Sequence, residues 1–304
     1  MRALLIVNPK ATTTSARSRD VIAGALRSEV ELDMGYTRRR GHAGYLAHEA
    51  ATSGVELVVA LGGDGTVNEV VNGLMRVPVE KRSALAVVPG GSTNVFVRAL
   101  GLPREWSEAT GVLLQALRDG RSRTIGLGLA DDRYFTFCAG LGLDAAVVRR
   151  VEQARKRGRR STPALYLRST LGEYVLERHP AKLALERPGA EPDLGISSVI
   201  VQNTAPWTFI GGKPVHPNPD ASFDLGLDVM ALRGLALPST MRTIAQLLSA
   251  DGEPDGRQVL RHHDLAEFTV TSPTPQAFQV DGDYLGEREK VRFAAVPHAL
   301  RVVC

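Results

Sequence analysis

Apolar residues follow two alternating rhythms over roughly the first 125 positions. Short runs of strand length, Leu4–Val7, Val30–Tyr36, Leu57–Leu61 and Leu85–Val88, contain Val and Ile at their centres or alternate with polar residues. Between them the apolar positions take helical spacing. Val21, Ile22, Ala25 and Leu26 predict one helical face, and His42–Ser53, closed by Gly54, predicts a second helix. Val67, Val70, Val71 and Leu74 recur at i, i+3, i+4 and i+7. Two further helices are predicted: Val95–Leu100, ended by Gly101 and Pro103, and Trp106–Leu117, with Leu113, Leu114 and Leu117 facing a core. Strand and helix in alternation predict a parallel α/β sheet. Beyond Arg121 the rhythm changes. A helix is predicted over Pro163–Arg178; from Ala181 short strands separated by Gly, Pro and Asp predict antiparallel structure with one helix near Thr240–Ser249. The expected fold class is α/β plus β: an N-terminal parallel-sheet domain over 1–125 and a second, mainly antiparallel β-sandwich domain over 126–290. The alternating tail, 291–304, is free to pack back on the first domain.

Composition narrows this picture only slightly. The 304 residues are 43% hydrophobic and 23% charged, the balance of a globular protein with two ample cores. No stretch approaches 18 uninterrupted apolar residues, which argues against a transmembrane helix. Met1–Val7 is too short for a signal-peptide core and reads as the first strand. Cys138 and Cys304 make no disulfide framework, so a reducing cytoplasm is the expected location.

Charge is uneven. Arg149–Arg160 holds seven basic residues and one acid, while the whole chain is only +4. Such a run is either a solvated face or a contact with an anionic membrane, where each cation gains about 1 kcal/mol. Arg38, Arg39 and Arg40 form a smaller cluster. Aromatic residues are 5% of the chain and none interleaves with the long run, which argues against nucleic acid as partner.

The candidate chemistry begins where the third predicted strand ends. Gly62, Gly63 and Gly65 enclose Asp64, and Thr66 opens the helix. Glycines admit a ligand close to the backbone, and a helix N-terminus favours an anion. A tight βα turn explains the glycines equally well, but not the acid, which makes best sense beside Mg²⁺ or a proton in transit. A second such junction, Pro89–Asn94, follows the strand Leu85–Val88. In a parallel sheet both loops and Asn8 fall at the carboxyl rim, where ligands bind.

The run Gly62–Leu74, GGDGTVNEVVNGL, resembles nearly residue for residue the nucleotide-binding motif of the diacylglycerol kinase catalytic family, which includes sphingosine kinases and bacterial lipid kinases. NAD kinases and phosphofructokinases carry related loops; the pair Asn68–Glu69 resembles the lipid-kinase version. The resemblance implies an NAD-kinase/diacylglycerol-kinase-like fold and a nucleotide site built from Asn8, Thr37, Gly62, Gly63, Gly65, Thr66, Glu69, Thr93 and Asn94. Thr37 enters with the segment Gly41-His42-Ala43, and Thr93 and Asn94 with PGGSTNVFVRALGLP, similar to the family's second motif but with Val95 where an acid is usual. Thr93 or Asn94 can also serve simply as a helix N-cap. His42 reads as a solvent-facing histidine rather than a ligand or base.

In the second domain, Gly211-Gly212-Lys213 and His216–Asp228 resemble a family segment whose acids support a structural Mg²⁺. Asp224 and Asp228 are the matching positions, with Leu225 in place of one acid. His262 and His263 read as a solvent-facing turn. Asp281-Gly282-Asp283 reads either as a hairpin turn, since Asp-Gly favours type I′ geometry, or, by its likeness to the family's Asp-Gly-Glu motif, as the site of the general base, Asp281. Phosphoryl transfer to an alcohol needs such a carboxylate and Mg²⁺ to neutralise the phosphates.

The resemblance thus implies an ATP- and Mg²⁺-dependent lipid kinase acting on diacylglycerol, with Asp64 and Asp281 as catalytic residues. They act together only if the β domain closes over the α/β rim. The alternatives are a kinase for a sphingoid base or NAD, and a non-catalytic lipid or nucleotide sensor. The expected location is cytoplasmic, peripheral to the inner face of the plasma membrane through Arg149–Arg160. A homodimer is left open.

Overall fold

The alternating first part of the chain and the strand-rich second part form two compact units. In the computed structural model, which describes residues 1–12, 14–156, 182–210, 212–249 and 252–304, one unit comprises Met1–Gly126 with His298–Cys304 and the other Leu127–Pro297. The helix expected over Pro163–Arg178 and the basic residues Arg157, Arg159 and Arg160 lie outside the described residues.

In the first unit β1 (Arg2–Val7), β2 (Glu31–Tyr36), β3 (Leu57–Gly62) and β4 (Ala84–Pro89) pair in parallel in the order β4-β3-β1-β2. Val302, near the end of the chain, pairs in parallel with Leu85 of β4. Every residue of β3 and β4 is buried, as expected of strands covered on both faces, whereas β2 alternates exposed and half-buried positions at the edge. The connecting helices are α1 (Ala16–Leu26), α2 (His42–Thr52), α3 (Asp64–Leu74), α4 (Val95–Ala99) and α5 (Trp106–Arg118). Val67, Val70, Val71 and Leu74 are all at most 1% exposed, the face that the spacing predicted. For α1 the predicted face is rotated: Val21 is 52% exposed and Ala23 is buried in its place. Two adjacent apolar residues in a short helix leave the buried side undetermined, and packing against α5 selects it.

Helices α2 and α3 approach closely enough that only glycine fits between them. A Cβ on Gly73 would lie 2.1 Å from the Gly44 carbonyl oxygen, and one on Gly44 would lie 2.8 Å from the Glu69 carbonyl oxygen.

The second unit holds β6 (Arg133–Phe135), β7 (Cys138–Gly142), α6 (Leu143–Lys156), β8 (Leu183–Glu186), β9 (Asp193–Ile196), β10 (Ser198–Gln202), β11 (Thr208–Ile210), β12 (Lys213–Val215), β13 (Leu227–Leu232), α7 (Leu237–Leu248) and β14 (Val259–Leu265). The unit boundaries fall within β5 (Arg123–Ala130) and β16 (Asp283–Val302), and β15 (Glu267–Val280) precedes β16. Pairing runs antiparallel through β14-β13-β10-β7-β15-β16, which with the parallel first unit is the α/β plus β class expected. Its core centres on Phe135, Phe268 and Phe293, with Phe268 stacked on Phe293 at 5.1 Å and Phe135 edge-on at 6.5 Å. The registers Gln202–Cys138, Gln202–Asp228 and Val280–Ala139 bring Cys138, Gln202, Asp228 and Val280 to one end of this sheet.

Candidate active site

The strand order of the first unit places a topological switch between β1 and β3, because the chain leaves β1 toward β2 and returns on the other side as β3. Ligands of open α/β sheets bind in the crevice at such a switch, beyond the carboxyl ends of the strands. Asn8 follows β1, and its N–H donates to Leu61 O at 3.0 Å. Its side-chain amide donates to Thr66 Oγ1, also at 3.0 Å, and its Oδ1 accepts from Lys10 N. Thr37 follows β2, its N–H bonded to Val7 O. Asn8, Thr66 and Thr37 therefore sit around the ends of β1, β2 and β3.

The two glycine loops pack backbone against backbone. Gly90 N donates to Gly62 O at 2.8 Å. A Cβ on Gly90 would lie 2.9 Å from Gly62 Cα, and one on Gly91 would lie 2.7 Å from Gly63 Cα. A Cβ on Gly62 would strike the Thr66 side chain, also at 2.7 Å. Side chains are thus excluded from the floor of the rim, where α3 begins and its first N–H groups lack intrahelical acceptors. Gly65 lies in that first turn.

The polar residues of the loops have specific partners. Asp64 Oδ1 accepts from Phe96 N, in the first turn of α4, at 3.2 Å. Asn94 occupies the N-cap of α4 with φ +50, yet its side chain makes no capping bond. Instead its amide turns back on Gly91, accepting from Gly91 N at 2.9 Å and donating to Gly91 O at 2.8 Å. The N-cap role open to Asn94 in the sequence passes to Asp64, and Asn94 locks the second glycine loop. Thr93 is half-buried beside it.

Glu69 reaches sideways to another helix. Its two oxygens accept from Gly41 N at 2.7 Å and Ala43 N at 3.1 Å, capping α2, whose own N-cap is a glycine with no side chain to offer. Glu69→Gln keeps one acceptor and loses the charge; a loss of about 1 kcal/mol is expected, read as a lower urea midpoint. An unchanged midpoint would contradict the capping role. His42 Nδ1 accepts from Arg38 N and its ring stacks on Tyr45, so it closes the preceding turn.

In the second unit, Asp281 and Gly282 both take positive φ, +47 and +77, and Val280 pairs with Asp283. This is the type I′ hairpin that Asp-Gly favours. The Asp281 side chain turns inward and is only 4% exposed. Its Oδ2 accepts from Thr136 N at 2.8 Å and Thr136 Oγ1 at 2.9 Å; its Oδ1 accepts from Phe137 N at 3.0 Å and Cys138 N at 3.1 Å. A carboxylate has about four acceptor positions, and here one turn supplies four donors. Asn203 holds that turn from behind, donating to Thr136 O, and Gln279 Oε1 accepts from Gly282 N. Asp283 opens β16, half-buried.

Asp224 and Asp228, expected as ligands of a structural Mg²⁺, belong to no group of three or more His, Cys, Asp or Glu that could hold a metal ion among the described residues. Asp228 is buried, and both its oxygens lie 2.9 Å from His263 Nδ1, with Asp264 N donating to Oδ1 at 3.0 Å. The hydrogen bond to Asp228 holds the His263 imidazole above its ordinary pKa. The His263 ring thus occupies the open side of the Asp228 carboxylate, so His263 is a hydrogen-bond partner of Asp228 rather than a residue of a bare solvent turn.

Comparison with known proteins bears directly on this geometry. The profile of the diacylglycerol kinase catalytic domain matches residues 2–130. The diacylglycerol kinase of Bacillus subtilis is 31% identical over 251 residues, 81% of this chain and 77% of that protein. The diacylglycerol kinase of Staphylococcus aureus is 32% identical over 296 residues, 94% of this chain and 87% of that one. The chain belongs to the diacylglycerol kinase catalytic family. It is accordingly a kinase-type phosphotransferase, and ATP use goes with the family. A crystal structure of a diacylglycerol kinase from Bacillus anthracis superposes with a TM-score of 0.74 at 20% identity, covering 99% of this chain and 96% of that one, a likeness of fold.

Within the family pattern, the departure at Val95 has a structural counterpart. Val95 is 2% exposed, packed in the first turn of α4, and the acid that bonds this turn is Asp64. Leu225, the other departure, is 42% exposed. The supporting residues Thr136, Asn203, Gly44 and Gly73 could not be singled out from sequence, because each acts through a partner distant in the chain. Only Gly44 and Gly73, glycines inside helices, carried a signal.

Proposed function

We propose that this chain transfers the γ-phosphoryl group of ATP to a lipid hydroxyl, with diacylglycerol as the acceptor and phosphatidic acid as the product. The observation that carries the reading is the side-chain-free floor made by Gly62, Gly63, Gly90 and Gly91 at the switch point, where a triphosphate can lie against backbone. Gly65, Thr66, Asn8, Thr37, Thr93 and Asn94 frame it, and Glu69 serves it indirectly by fixing α2 and the loop of Arg38, Arg39 and Arg40. Lipid-kinase relatives covering most of the chain favour a lipid acceptor over NAD.

Asp64 stands at the loop, half-buried, and fits Mg²⁺ as that ion is held in kinases, by one or two carboxylates together with substrate phosphates. Bound there, the ion would neutralise phosphate charge. Asp64→Asn retains an acceptor for Phe96 N, so stability is expected to change by less than about 1 kcal/mol, while turnover falls about a hundredfold or more. Turnover close to that of the parent protein would remove Asp64 from the mechanism.

Asp281 is the proposed general base, on one condition. Four donors stabilise its charged form and weaken it as a base, so the Thr136–Cys138 turn must release an oxygen when the alcohol arrives; apo geometry alone does not disqualify a base. Asp224 and Asp228 are not carried forward as metal ligands.

The basic run Arg149–Arg160 supports peripheral attraction to an anionic leaflet on the cytoplasmic side. Within it, Arg149 pairs with Glu287 at 3.2 Å. No helix among the described residues is long and apolar enough to cross a membrane. The deciding experiment incubates the protein and γ-labelled ATP with bacterial lipid extract, with a sphingoid base and with NAD. Label in phosphatidic acid is expected; label only in a sphingoid base or in NADP would reassign the acceptor, and no transfer to any lipid would leave a sensor.

A further inference from the structure

Helix α7 leaves one apolar face exposed, while Ile244 and Leu247 are half-buried. Its buried residues are Thr240 and Thr243, 6% and 1% exposed, whereas Leu237, Met241 and Leu248 are 55%, 54% and 52% exposed. Positions 237, 241 and 248 fall at i, i+4 and i+11, on one side of the helix, with exposed Ala245 between them. Polar bonds tie the opposite side to the protein: Gln258 Nε2 donates to Thr243 Oγ1 at 3.1 Å and to Ser239 O at 3.3 Å. An amphipathic helix held by its polar face presents its apolar face outward.

Position and charge say what covers that face. A Cβ on Gly252, just beyond α7, would lie 3.6 Å from His216 Cβ. Two residues on, Asn218 donates twice to Gln202 Oε1, both at 3.0 Å. Gln202 lies at the Asp281 end of the sheet. The segment that follows α7 therefore reaches the end of the sheet that carries Asp281. The nearby β11–β12 hairpin adds Ile210, 41% exposed, and exposed Lys213. The helix has no acid, and its one cation, Arg242, is paired with Asp255 at 3.0 Å, so the positive charge offered to an anionic leaflet comes from Lys213.

We propose that the apolar face of α7 lies in the membrane interface, so that the Asp281 end of the second unit meets lipid directly. This rests on the lipid-acceptor reading. The arginine run supplies long-range attraction, whereas Leu237, Met241 and Leu248 supply insertion, as in interfacial amphipathic helices. The two parts separate by salt, since screening removes the first and leaves the second.

The test is sedimentation with phosphatidylcholine–phosphatidylglycerol vesicles in about 0.5 M salt, where charge attraction is screened, comparing the parent protein with the triple variant Leu237→Ser, Met241→Ser, Leu248→Ser. The substituted side chains are exposed, so the melting temperature should not change. The parent is expected to partition about tenfold or more above the variant, and both should phosphorylate detergent-dispersed diacylglycerol equally. Equal partitioning, or a parent that does not bind the vesicles, overturns the proposal. So does a dimer that the variant splits while partitioning stays the same, which would assign the face to a second copy. If neither protein phosphorylates any lipid but the variant still loses vesicle binding, the kinase reading fails and the docking face stands.

Discussion

Replacing Asp281 with asparagine is expected to cost both turnover and stability. Loss of a general base lowers turnover about 10²- to 10⁴-fold. The stability cost comes from the donors of Thr136, Phe137 and Cys138, all pointing at one buried carboxylate. An asparagine offers one oxygen and turns its NH₂ toward N–H groups that now lack an acceptor. With about 1–3 kcal/mol for each buried donor left unsatisfied, a loss of about 3 kcal/mol or more is expected, visible in urea unfolding. Thr136→Val separates the roles. It removes one hydroxyl donor and leaves the backbone donors in place, so Asp281 keeps its position and becomes a stronger base. Turnover should survive in that variant at a small stability cost. Asp281→Asn with undiminished turnover would end the base assignment; Asp281→Asn with unchanged stability would show that the four bonds contribute nothing.

The second large effect is expected at Gly73. Alanine there places a methyl group 2.1 Å from the Gly44 carbonyl oxygen, so α2 and α3 must move apart. Overpacking of this kind costs about 1–3 kcal/mol, sometimes more. Here the displacement also strains the bonds from Glu69 to Gly41 N and Ala43 N. A loss of about 3 kcal/mol or more is expected, with weakened ATP binding because α3 opens at the glycine floor. Gly24 in α1 provides the control. Nothing lies within 4 Å of a Cβ at that position, and alanine should stabilise the protein by up to about 1 kcal/mol through helix propensity alone. Two Gly→Ala changes in helix interiors thus carry opposite signs, measured by thermal melting. A Gly73→Ala protein as stable as the parent would mean that the close helix contact does not exist.

The amino-acid sequence by itself determined the strand–helix alternation of the first unit, the antiparallel character of the second, the family and the two glycine loops. These are local facts: a strand repeats every two residues, a helix every 3.6, and a glycine-rich turn is written in adjacent letters. Only the tertiary structure decided which side of α1 is buried and that α7 faces outward. It also decided that Glu69 caps a helix rather than ending at its own loop, that Asn94 turns back on Gly91, and that Asp228 pairs with His263. It alone revealed that four donors from Thr136–Cys138 converge on Asp281, 143 to 145 positions away in the chain. The reason is physical. A carboxylate's chemistry is set by the donors and charges within a few ångströms of it, and those neighbours are chosen by sheet register and helix packing, which no short window of sequence contains.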